Sequence, residues 1–160
     1  MKKKILVTGG TGYIGSHTSV ELIEEGFDVI IIDNLYNSEA IVVDSIGQIT
    51  GVKPALEVFD VCDLEKLTTF FQKSNDIAAI IHFAAYKAVG ESVNKPLEYY
   101  RNNLVSQINL LDAMKQFGIP NMVFSSSCTV YGQPEKLPVS EDSPMQPAIS
   151  PYGNTKQIGE

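Results

Sequence analysis

The sequence predicts an α/β protein in three layers, with helices on both faces of a doubly wound parallel sheet. Two observations carry this prediction. Short apolar runs alternate with amphipathic stretches along the 160 residues, which is the order of elements in a sheet built from right-handed β-α-β crossovers. The run Val29-Ile30-Ile31-Ile32 is apolar on both faces, as the strands of a covered parallel sheet are.

The first elements follow from apolar runs and from the residues that end them. Ile5–Val7 is predicted as the first strand, with lysines at its solvated end. A helix is predicted over Tyr13–Glu25, because Gly26 is placed to end it. Asp28–Asp33 is the second predicted strand. Ala40–Ile49 can form a helix despite its β-branched residues.

The middle of the chain continues the alternation. Leu56–Phe59 is predicted as the third strand and Ile77–Phe83 as the fourth. Between them a helix is predicted over Leu64–Lys73, because Asp63 is a residue type that caps helix N-termini.

The last elements are marked by proline and glycine. A long helix is predicted over Pro96–Phe117, since proline suits the first turn and Gly118 suits the end. Asn121–Ser125 is the fifth predicted strand. Leu137–Pro151 contains four prolines and is predicted as an irregular loop near the site, after which Pro151 begins the last helix.

Composition argues against several function classes. The net charge of −7 argues against nucleic-acid binding, because nucleic-acid phosphates need basic surfaces. No run approaches the ~20 apolar residues that span a bilayer. Cys62 and Cys128 lie far apart, which is typical of a cytoplasmic protein with inert free thiols. Two histidines are too few for a metal-ligand cluster; His82 is predicted to lie in the core and His17 on a helix surface.

Gly9, Gly12 and Gly15 form a G-x-x-G-x-x-G series between the first strand and the first helix. One glycine permits the turn, a second lets the backbone approach a diphosphate, and a third lets helix and strand pack closely. The helix N-terminus supplies N–H groups and partial positive charge. Tight turns also use glycine, but the strand–turn–helix context predicts a Rossmann-type dinucleotide-binding domain.

Asp33 ends the second strand, 18 residues after Gly15. A carboxylate about 20 residues beyond such glycines binds the adenosine ribose hydroxyls. No arginine lies between Met1 and Tyr100, so a 2′-phosphate would meet a negative charge and no guanidinium. The sequence therefore favours NAD over NADP. The alternative role of Asp33 is to cap a turn with Asn34.

Tyr152 and Lys156 stand at positions i and i+4 of the last predicted helix, and therefore on one face of it. A free tyrosine has a pKa of about 10, and a nearby ammonium favours the phenolate form that can act as a base. A hydroxyl among Ser125–Ser127, at the carboxyl end of a strand, would hold a substrate oxygen. The pair predicts hydride chemistry on a nicotinamide cofactor; an exposed surface pair is the alternative.

Further strings accompany these motifs. They are His82-Phe83-Ala84-Ala85, Lys87-Ala88-Val89-Gly90-Glu91-Ser92, Phe124-Ser125-Ser126-Ser127 and Val130-Tyr131-Gly132. Together with the glycine series, Asp33-Asn34-Leu35 and Tyr152–Lys156, they resemble the extended short-chain dehydrogenase/reductase family, and within it the UDP-glucose 4-epimerases. The resemblance covers the whole chain, and Lys87–Ser92 is its most specific part.

The resemblance implies a NAD-dependent isomerase of galactose and nucleotide-sugar metabolism, which interconverts UDP-galactose and UDP-glucose through a 4-keto intermediate. Tyr152 would take the proton of the sugar 4-hydroxyl while hydride passes to the nicotinamide. Ser127 would bond the same oxygen, and Lys156 would bond the nicotinamide ribose. The implied cofactor-binding residues are Gly9, Gly12, Tyr13, Ile14, Gly15, Asp33, Asn34, Asn37, Ser38, Asp60, Val61, Phe83, Ala84, Lys87, Asn102, Tyr152 and Lys156.

The implied contacts divide along the cofactor. The adenosine ribose and the nearby phosphate would be surrounded by Asp33, Asn34, Asn37 and Ser38. The adenine would be contacted by Asp60 and Val61. Lys87 would reach the phosphate or ribose side, and Asn102 would lie near the nicotinamide half. No metal is implied.

The chain also departs from the family. Ala85-Tyr86 and Cys128 stand where the epimerases usually have Gly-Leu and Ala. Members of the family continue into a C-terminal substrate domain that makes most contacts with the UDP-sugar. We therefore expect residues 1–160 to form an NAD-binding domain that binds the cofactor without turnover on its own. The resemblance also implies a homodimer paired through the helix at Pro96–Phe117.

The remaining alternative is a nucleotide-sugar 4,6-dehydratase on the same scaffold. Those enzymes typically place Asp-Glu at the strand end, where this chain has Ser127-Cys128. No carboxylate lies between Phe124 and Gln133, so the residues favour the epimerase.

Overall fold

The computed structural model describes residues 2–74 and 76–160. Within them the strands are Lys4–Thr8 (β1), Asp28–Asp33 (β2), Ala55–Val58 (β3), Ile77–His82 (β4) and Met122–Phe124 (β5). The α-helices are Tyr13–Glu24 (α1), Ile41–Thr50 (α2), Leu64–Lys73 (α3), Val89–Asn94 (α4), Pro96–Phe117 (α5) and Pro151–Gly159 (α6). A 3₁₀ helix covers Cys128–Tyr131.

The strands form one sheet in the order β3-β2-β1-β4-β5. β1 pairs in parallel with β2 on one side and with β4 on the other, and β2 pairs in parallel with β3. The chain thus winds outward from β1 to β3 and then returns to the opposite side of β1. Ligands of open α/β sheets bind at such a reversal, beyond the carboxyl ends of the strands.

The core lies on both faces of the sheet, as predicted for three layers. Side chains of a strand alternate between faces. Ile5 and Val7 of β1 pack with residues of α1 and α2, whereas Leu6 packs with residues of α3 and α5. The alternation continues in β2, where Ile31 packs on the face covered by α1 and α2 and Ile30 on the face covered by α3 and α5. The doubly wound fold class is therefore confirmed.

The predicted bounds of two helices, α3 and α5, are confirmed, whereas α1 ends at Glu24 instead of Glu25 and α2 covers Ile41–Thr50 instead of Ala40–Ile49. The side chain of Asp63 accepts a hydrogen bond from the N–H of Lys66 at 3.1 Å and begins α3 at the predicted residue. Gly26 and Gly118 follow α1 and α5 with φ of +88° and +69°, in the region that favours glycine. The bounds of α3 and α5 agree with the prediction.

The edge of the sheet and one short helix differ from the prediction. β3 covers Ala55–Val58 instead of the predicted Leu56–Phe59, because Ala55 is in register with Ile30 of β2. β5 has three residues, Met122–Phe124, instead of the predicted Asn121–Ser125. α4 was not predicted as a helix. Its six residues include Gly90, and they are too few to show a helical period.

Contacts divide the chain into two compact units. Unit 1 contains the residues up to Ala84 together with Ile108–Val123, and unit 2 contains Ala85–Gln107 together with Phe124–Glu160. Among the residues that the structure describes, no helix combines the length and apolar character needed to cross a bilayer.

Candidate functional site

The turn between β1 and α1 is built from closely packed glycines. Gly9 has φ of +70°, in the left-handed region. A Cβ atom on Gly15 would lie 2.3 Å from the carbonyl oxygen of Gly9, and the N–H of Gly12 donates to that oxygen at 3.1 Å. The turn therefore lies directly against the first residues of α1, with no room for a side chain between them.

The N-terminus of α1 presents backbone N–H groups. The first N–H groups of any α-helix have no acceptor within the helix, and Gly12 at the N-cap gives no side-chain hydrogen bond. Tyr13 and Ile14, the first residues of α1, are 79% and 60% exposed. An accessible helix N-terminus beside a glycine-rich turn is suited to a diphosphate.

The end of β4 lies beside this turn. A Cβ atom on Gly9 would lie 2.7 Å from the backbone nitrogen of Ala84, and the N–H of Phe83 donates to the carbonyl of Thr8 at 3.0 Å. The Thr8 hydroxyl lies 2.6 Å from Nδ1 of His82, which is 2% exposed. The predicted core position of His82 is confirmed, and Phe83 and Ala84 lie where the sheet order reverses.

The carboxylate of Asp33 connects two loops at the end of β2. Its Oδ2 accepts from the N–H of Thr11 at 3.1 Å. Its Oδ1 accepts from the N–H of Leu35 at 2.9 Å and from the hydroxyl of Ser38 at 3.3 Å. Asp33 therefore caps a turn that includes Asn34, as the alternative expected. Ribose binding by the same carboxylate stays a prediction.

The residues predicted around the adenine are linked to the same loop. Asn34 donates from Nδ2 to Oδ2 of Asp60 at 3.0 Å. Val61 is 4% exposed, and its carbonyl accepts from Nδ2 of Asn109 at 3.0 Å. Asn37 is exposed in the loop after β2. Unit 1 thus brings the predicted ribose and adenine residues together, with an α5 side chain supporting them.

Tyr152 and Lys156 lie on α6 in unit 2, and both are buried. Ser150 caps the helix by accepting from the N–H of Gly153 at 3.0 Å. Tyr152 is 9% and Lys156 4% exposed. The Lys156 Nζ donates to the carbonyl of Ser125 at 2.7 Å, and it lies 6.0 Å from the ring centroid of Tyr152. The alternative of an exposed surface pair is therefore wrong.

Burial changes the acidity of the ammonium. Loss of hydration disfavours the charged form, and it lowers the pKa of Lys156 from 10.5 to about 8. The carbonyl of Ser125 and the face of the Phe124 ring, 4.6 Å from Nζ, still favour the cation. Lys156 is therefore mostly protonated at pH 7 and loses its proton about one unit above it.

Ser127 begins the segment that packs on α6. It is the N-cap of the 3₁₀ helix at Cys128–Tyr131, where its Oγ accepts from the hydroxyl of Thr129 at 3.0 Å. An Oγ that accepts in this way keeps its own proton available for donation. Cys128, the next residue, is an exposed free thiol.

Lys87 and Asn102 lie on separate parts of unit 2. Lys87 is exposed in the segment before α4. Asn102 lies on α5 and donates from Nδ2 to Oδ1 of Asn103 at 3.0 Å. Unit 2 therefore contains the three predicted catalytic residues together with these two cofactor residues.

Sequence reasoning missed three residues that connect the predicted ones. Thr11 contacts both Asp33 and Ser38, and Asn103 and Thr155 connect the segment before α4 to α6. Thr11 lies within the glycine series, so its place in the motif could have indicated it. Buried Asn103 gave no such signal, because it is one of three asparagines in α5 and no spacing distinguishes it from Asn102 or Asn109.

Two other features do not belong to the predicted site. An open cavity of about 540 Å³ lies at α2 and β3, with Ile41, Val43, Lys53 and Leu56 among its lining residues; the predicted cofactor and catalytic residues do not line it. Among the described residues, no group of three or more His, Cys, Asp or Glu side chains could hold a metal ion.

Known proteins resemble the chain over nearly its full length. A UDP-glucose 4-epimerase from Bacillus subtilis is 50% identical over 156 residues, which are 98% of this chain and 45% of that protein. A UDP-glucose 4-epimerase from Mus musculus is 47% identical over 160 residues, covering 96% of this chain and 46% of that protein. The chain thus spans about half the length of the curated relatives it matches, and the resemblance to epimerases is confirmed.

Solved structures give the same result. UDP-glucose 4-epimerase from Bifidobacterium longum, in complex with NAD+ and UDP, matches with a TM-score of 0.95 and 44% identity over 98% of this chain and 47% of that one. The enzyme from Stenotrophomonas maltophila, with bound NAD and formylated UDP-arabinopyranose, matches with a TM-score of 0.92 and 46% identity over 98% of this chain and 46% of that one.

A family model offers an independent assignment. The model described as GDP-mannose 4,6 dehydratase matches residues 6–160. Because this match includes both the glycine turn and the Tyr152–Lys156 helix, the chain belongs to the GDP-mannose 4,6 dehydratase family.

Proposed function

We propose that these 160 residues are the cofactor-binding part of a NAD-dependent UDP-glucose 4-epimerase, which interconverts UDP-galactose and UDP-glucose. One observation carries the proposal: Tyr152 and Lys156 are buried on one face of α6, in a chain that is 50% identical to a UDP-glucose 4-epimerase. Burial of an ammonium costs free energy, because the charged group loses its hydration. Buried charged groups of this kind are concentrated at functional sites.

The residues of unit 1 fit the adenosine and diphosphate parts of NAD. Space for a Cβ is missing at Gly9 and Gly15, so no side chain at these two positions separates a diphosphate from the backbone N–H groups at the start of α1. The buried carboxylate of Asp33 still has acceptor capacity for ribose hydroxyls, since an ionised carboxylate has about four lone-pair sites. We propose that Asn34, Asn37, Ser38, Asp60, Val61, Phe83 and Ala84 complete this side.

The residues of unit 2 would serve the nicotinamide part and the sugar. Bound NAD would supply the hydride acceptor for C4 of the sugar and the hydride donor for the return to its opposite face. Tyr152 takes the proton of the 4-hydroxyl as the hydride leaves and returns a proton to the same oxygen afterwards. Lys156, protonated below its pKa of about 8, binds the nicotinamide ribose and stabilises negative charge on the phenol oxygen. Ser127 donates to the 4-oxygen, and Lys87 and Asn102 hold the cofactor.

The chemistry of the strand end favours epimerisation over dehydration. A 4,6-dehydratase must also remove a proton from C5 and protonate the hydroxyl that leaves C6, which requires an acid and a base beside the tyrosine. Here the segment beyond β5 provides hydroxyls and the exposed thiol of Cys128. The match to the GDP-mannose 4,6 dehydratase family therefore supports the fold. The identity to UDP-glucose 4-epimerases supports the proposed reaction.

A chimera tests the proposal directly. The 160 residues replace the matching part of the Bacillus subtilis epimerase, and the product formed from UDP-galactose is identified by chromatography. We expect UDP-glucose, with turnover reduced at least about 100-fold by Tyr152→Phe, because removal of a general base has this effect. Tyr100→Phe is the matched control, since it removes a phenol that bonds Asn154 of α6 and should leave turnover within about twofold. A 4-keto-6-deoxy product, or full activity of Tyr152→Phe, would contradict the proposal.

We also propose a homodimer formed through α5. Leu97, Ile108 and Leu111 are 77%, 56% and 49% exposed, and their spacing places them on one face of the helix. Ile108→Glu should lower the mass observed by sedimentation from dimer to monomer, whereas Ile49→Glu, at an exposed position of α2, should not. We also propose a cytoplasmic location, because Cys62 and Cys128 lie far apart in the sequence with no paired spacing; fractionation of expressing cells tests it.

A further inference from the structure

Asn103 forms a two-point contact with the backbone of Tyr86. Its Oδ1 accepts from the N–H of Tyr86 at 2.8 Å, and its Nδ2 donates to the carbonyl of Tyr86 at 3.0 Å. The donor N–H of Tyr86 fixes which amide atom is the oxygen, because only the oxygen can accept. Asn103 is 5% exposed, so this contact is shielded from competing water. The residue after Tyr86 is Lys87.

The same amide continues to the helix that carries the tyrosine. Nδ2 of Asn103 also donates to Oγ1 of Thr155 at 3.0 Å. The hydroxyl of Thr155 in turn donates to the carbonyl of Tyr152 at 2.7 Å, and Thr155 is 1% exposed. A continuous path of hydrogen bonds therefore runs from the backbone beside Lys87 to the backbone of Tyr152.

Every hydrogen-bonding position of this amide is used. Asn102 donates to Oδ1 as well, so Asn103 makes two donor and two acceptor contacts, the maximum for an amide. A side chain satisfied in this way has one rotamer and one orientation, because any rotation would leave buried polar groups without partners.

Simple attachment of α5 to α6 does not explain the contact. Tyr100 already donates to Asn154 at 2.8 Å, and Gln107 donates to the carbonyl of Gly159 at 2.8 Å. Both of these bonds join α5 to α6 and neither reaches the segment before α4. The contact through Asn103 and Thr155 differs because it includes Tyr86.

We propose that Asn103, acting through Thr155, is a positioning residue that fixes Lys87 and Tyr152 relative to each other, so that both reach the nicotinamide half of the cofactor. The proposal rests on the proposed function. It predicts a selective effect: loss of the path weakens binding of a whole dinucleotide and spares a ligand that contains only the adenosine end.

Two ligands and two matched pairs of variants test this in the 160-residue chain. NADH binding is measured by its fluorescence, and binding of AMP, which lacks the nicotinamide half, by calorimetry. Thr155→Val removes the hydroxyl and Thr155→Ser keeps it. Asn103→Asp keeps the size of the side chain and removes both of its donors, while Tyr100→Phe removes an α5–α6 bond outside the path. Thermal unfolding establishes that each variant is folded.

The expected result is a rise of about tenfold in the Kd of NADH for Thr155→Val and Asn103→Asp, equivalent to about 1.4 kcal/mol, with the Kd of AMP within about twofold. Thr155→Ser and Tyr100→Phe should bind both ligands like wild type. Equal weakening of NADH and AMP, or no weakening in a folded variant, would overturn the positioning role while leaving the proposed function intact. A wild-type chain that binds neither ligand would instead refute the proposed function, and this inference with it.

Discussion

At the scale of single residues, Lys156 combines a positive charge with deep burial. An ammonium that is 4% exposed is stabilised by one carbonyl and by aromatic faces, which repay only part of its lost hydration. The sequence predicted Lys156 as a partner of Tyr152 from spacing alone. It could not predict the carbonyl of Ser125, because that contact depends on where the chain runs after β5.

Lys156 should give the stability of the protein a pH dependence. Its pKa is about 8 in the folded state and 10.5 without burial. Between these values the unfolded chain binds more protons, so folding stability rises with pH. The free energy of unfolding of wild type should therefore increase by about 1 kcal/mol relative to Lys156→Met from pH 7 to pH 9, as measured by urea denaturation. A difference between the two proteins that does not change over this range would contradict the burial of a charged lysine.

Asp33 should select NAD over NADP, because its carboxylate would repel a 2′-phosphate. Calorimetry should give at least about tenfold tighter binding of NAD, equivalent to about 1.4 kcal/mol. In Asp33→Asn the ratio of the two affinities should approach one. The ratio is the useful quantity, since loss of the contacts with Thr11 and Leu35 weakens both ligands together.

Asp28→Asn is the control for this experiment. Asp28 is exposed at the other end of β2 and carries the same charge. Its substitution should leave the ratio unchanged. Equal affinity of the wild-type chain for NAD and NADP would refute the selection by Asp33.

At the scale of elements, the glycine turn packs directly against α1. Gly15 is the first buried residue of α1, and a Cβ there would lie 2.3 Å from the Gly9 carbonyl and 2.8 Å from the Gly10 Cα. Both are backbone atoms, which cannot move without displacing the turn.

Gly15→Ala should therefore lower the free energy of unfolding by about 2 kcal/mol or more and abolish measurable NADH binding. Gly90→Ala in α4 is the matched substitution, because a Cβ there meets nothing within 4 Å. It should raise stability by about 0.5–1 kcal/mol, the usual cost of glycine in a helix, as measured by thermal and urea unfolding. Wild-type binding of NADH by Gly15→Ala would show that the close packing is not needed.

The elements differ in how well the sequence could predict them. Helices with a cap or a terminal glycine, such as α3 and α5, have ends that depend on local chemistry, and they begin and end where predicted. β3 depends on its register with β2, which comes from a distant part of the chain. α4 is too short for a period to appear, and the Tyr99 hydroxyl that accepts from the N–H of Ala88 at its N-cap lies on another helix.

At the scale of the whole molecule, we expect cofactor binding and substrate turnover to be separable in these 160 residues. The chain spans 45% of the length of the Bacillus subtilis relative. We expect the 160-residue chain to bind NADH, with little or no conversion of UDP-galactose, because the part of the relatives that it does not match would supply the contacts to the sugar. Fluorescence titration and a coupled assay on the same preparation check both statements. Rapid turnover by this chain alone would contradict the second.

The two units also interleave along the chain. Leu110 and Ala113 belong to the same apolar cluster as Leu6 and Ile30, so unit 1 is completed only by residues that follow the first stretch of unit 2. During synthesis, the ribosome must therefore release the chain up to Ile119 before that cluster can close. Contacts between such remote positions slow folding, so the emerging polypeptide would spend several seconds with this apolar surface open to chaperones at ordinary translation speeds.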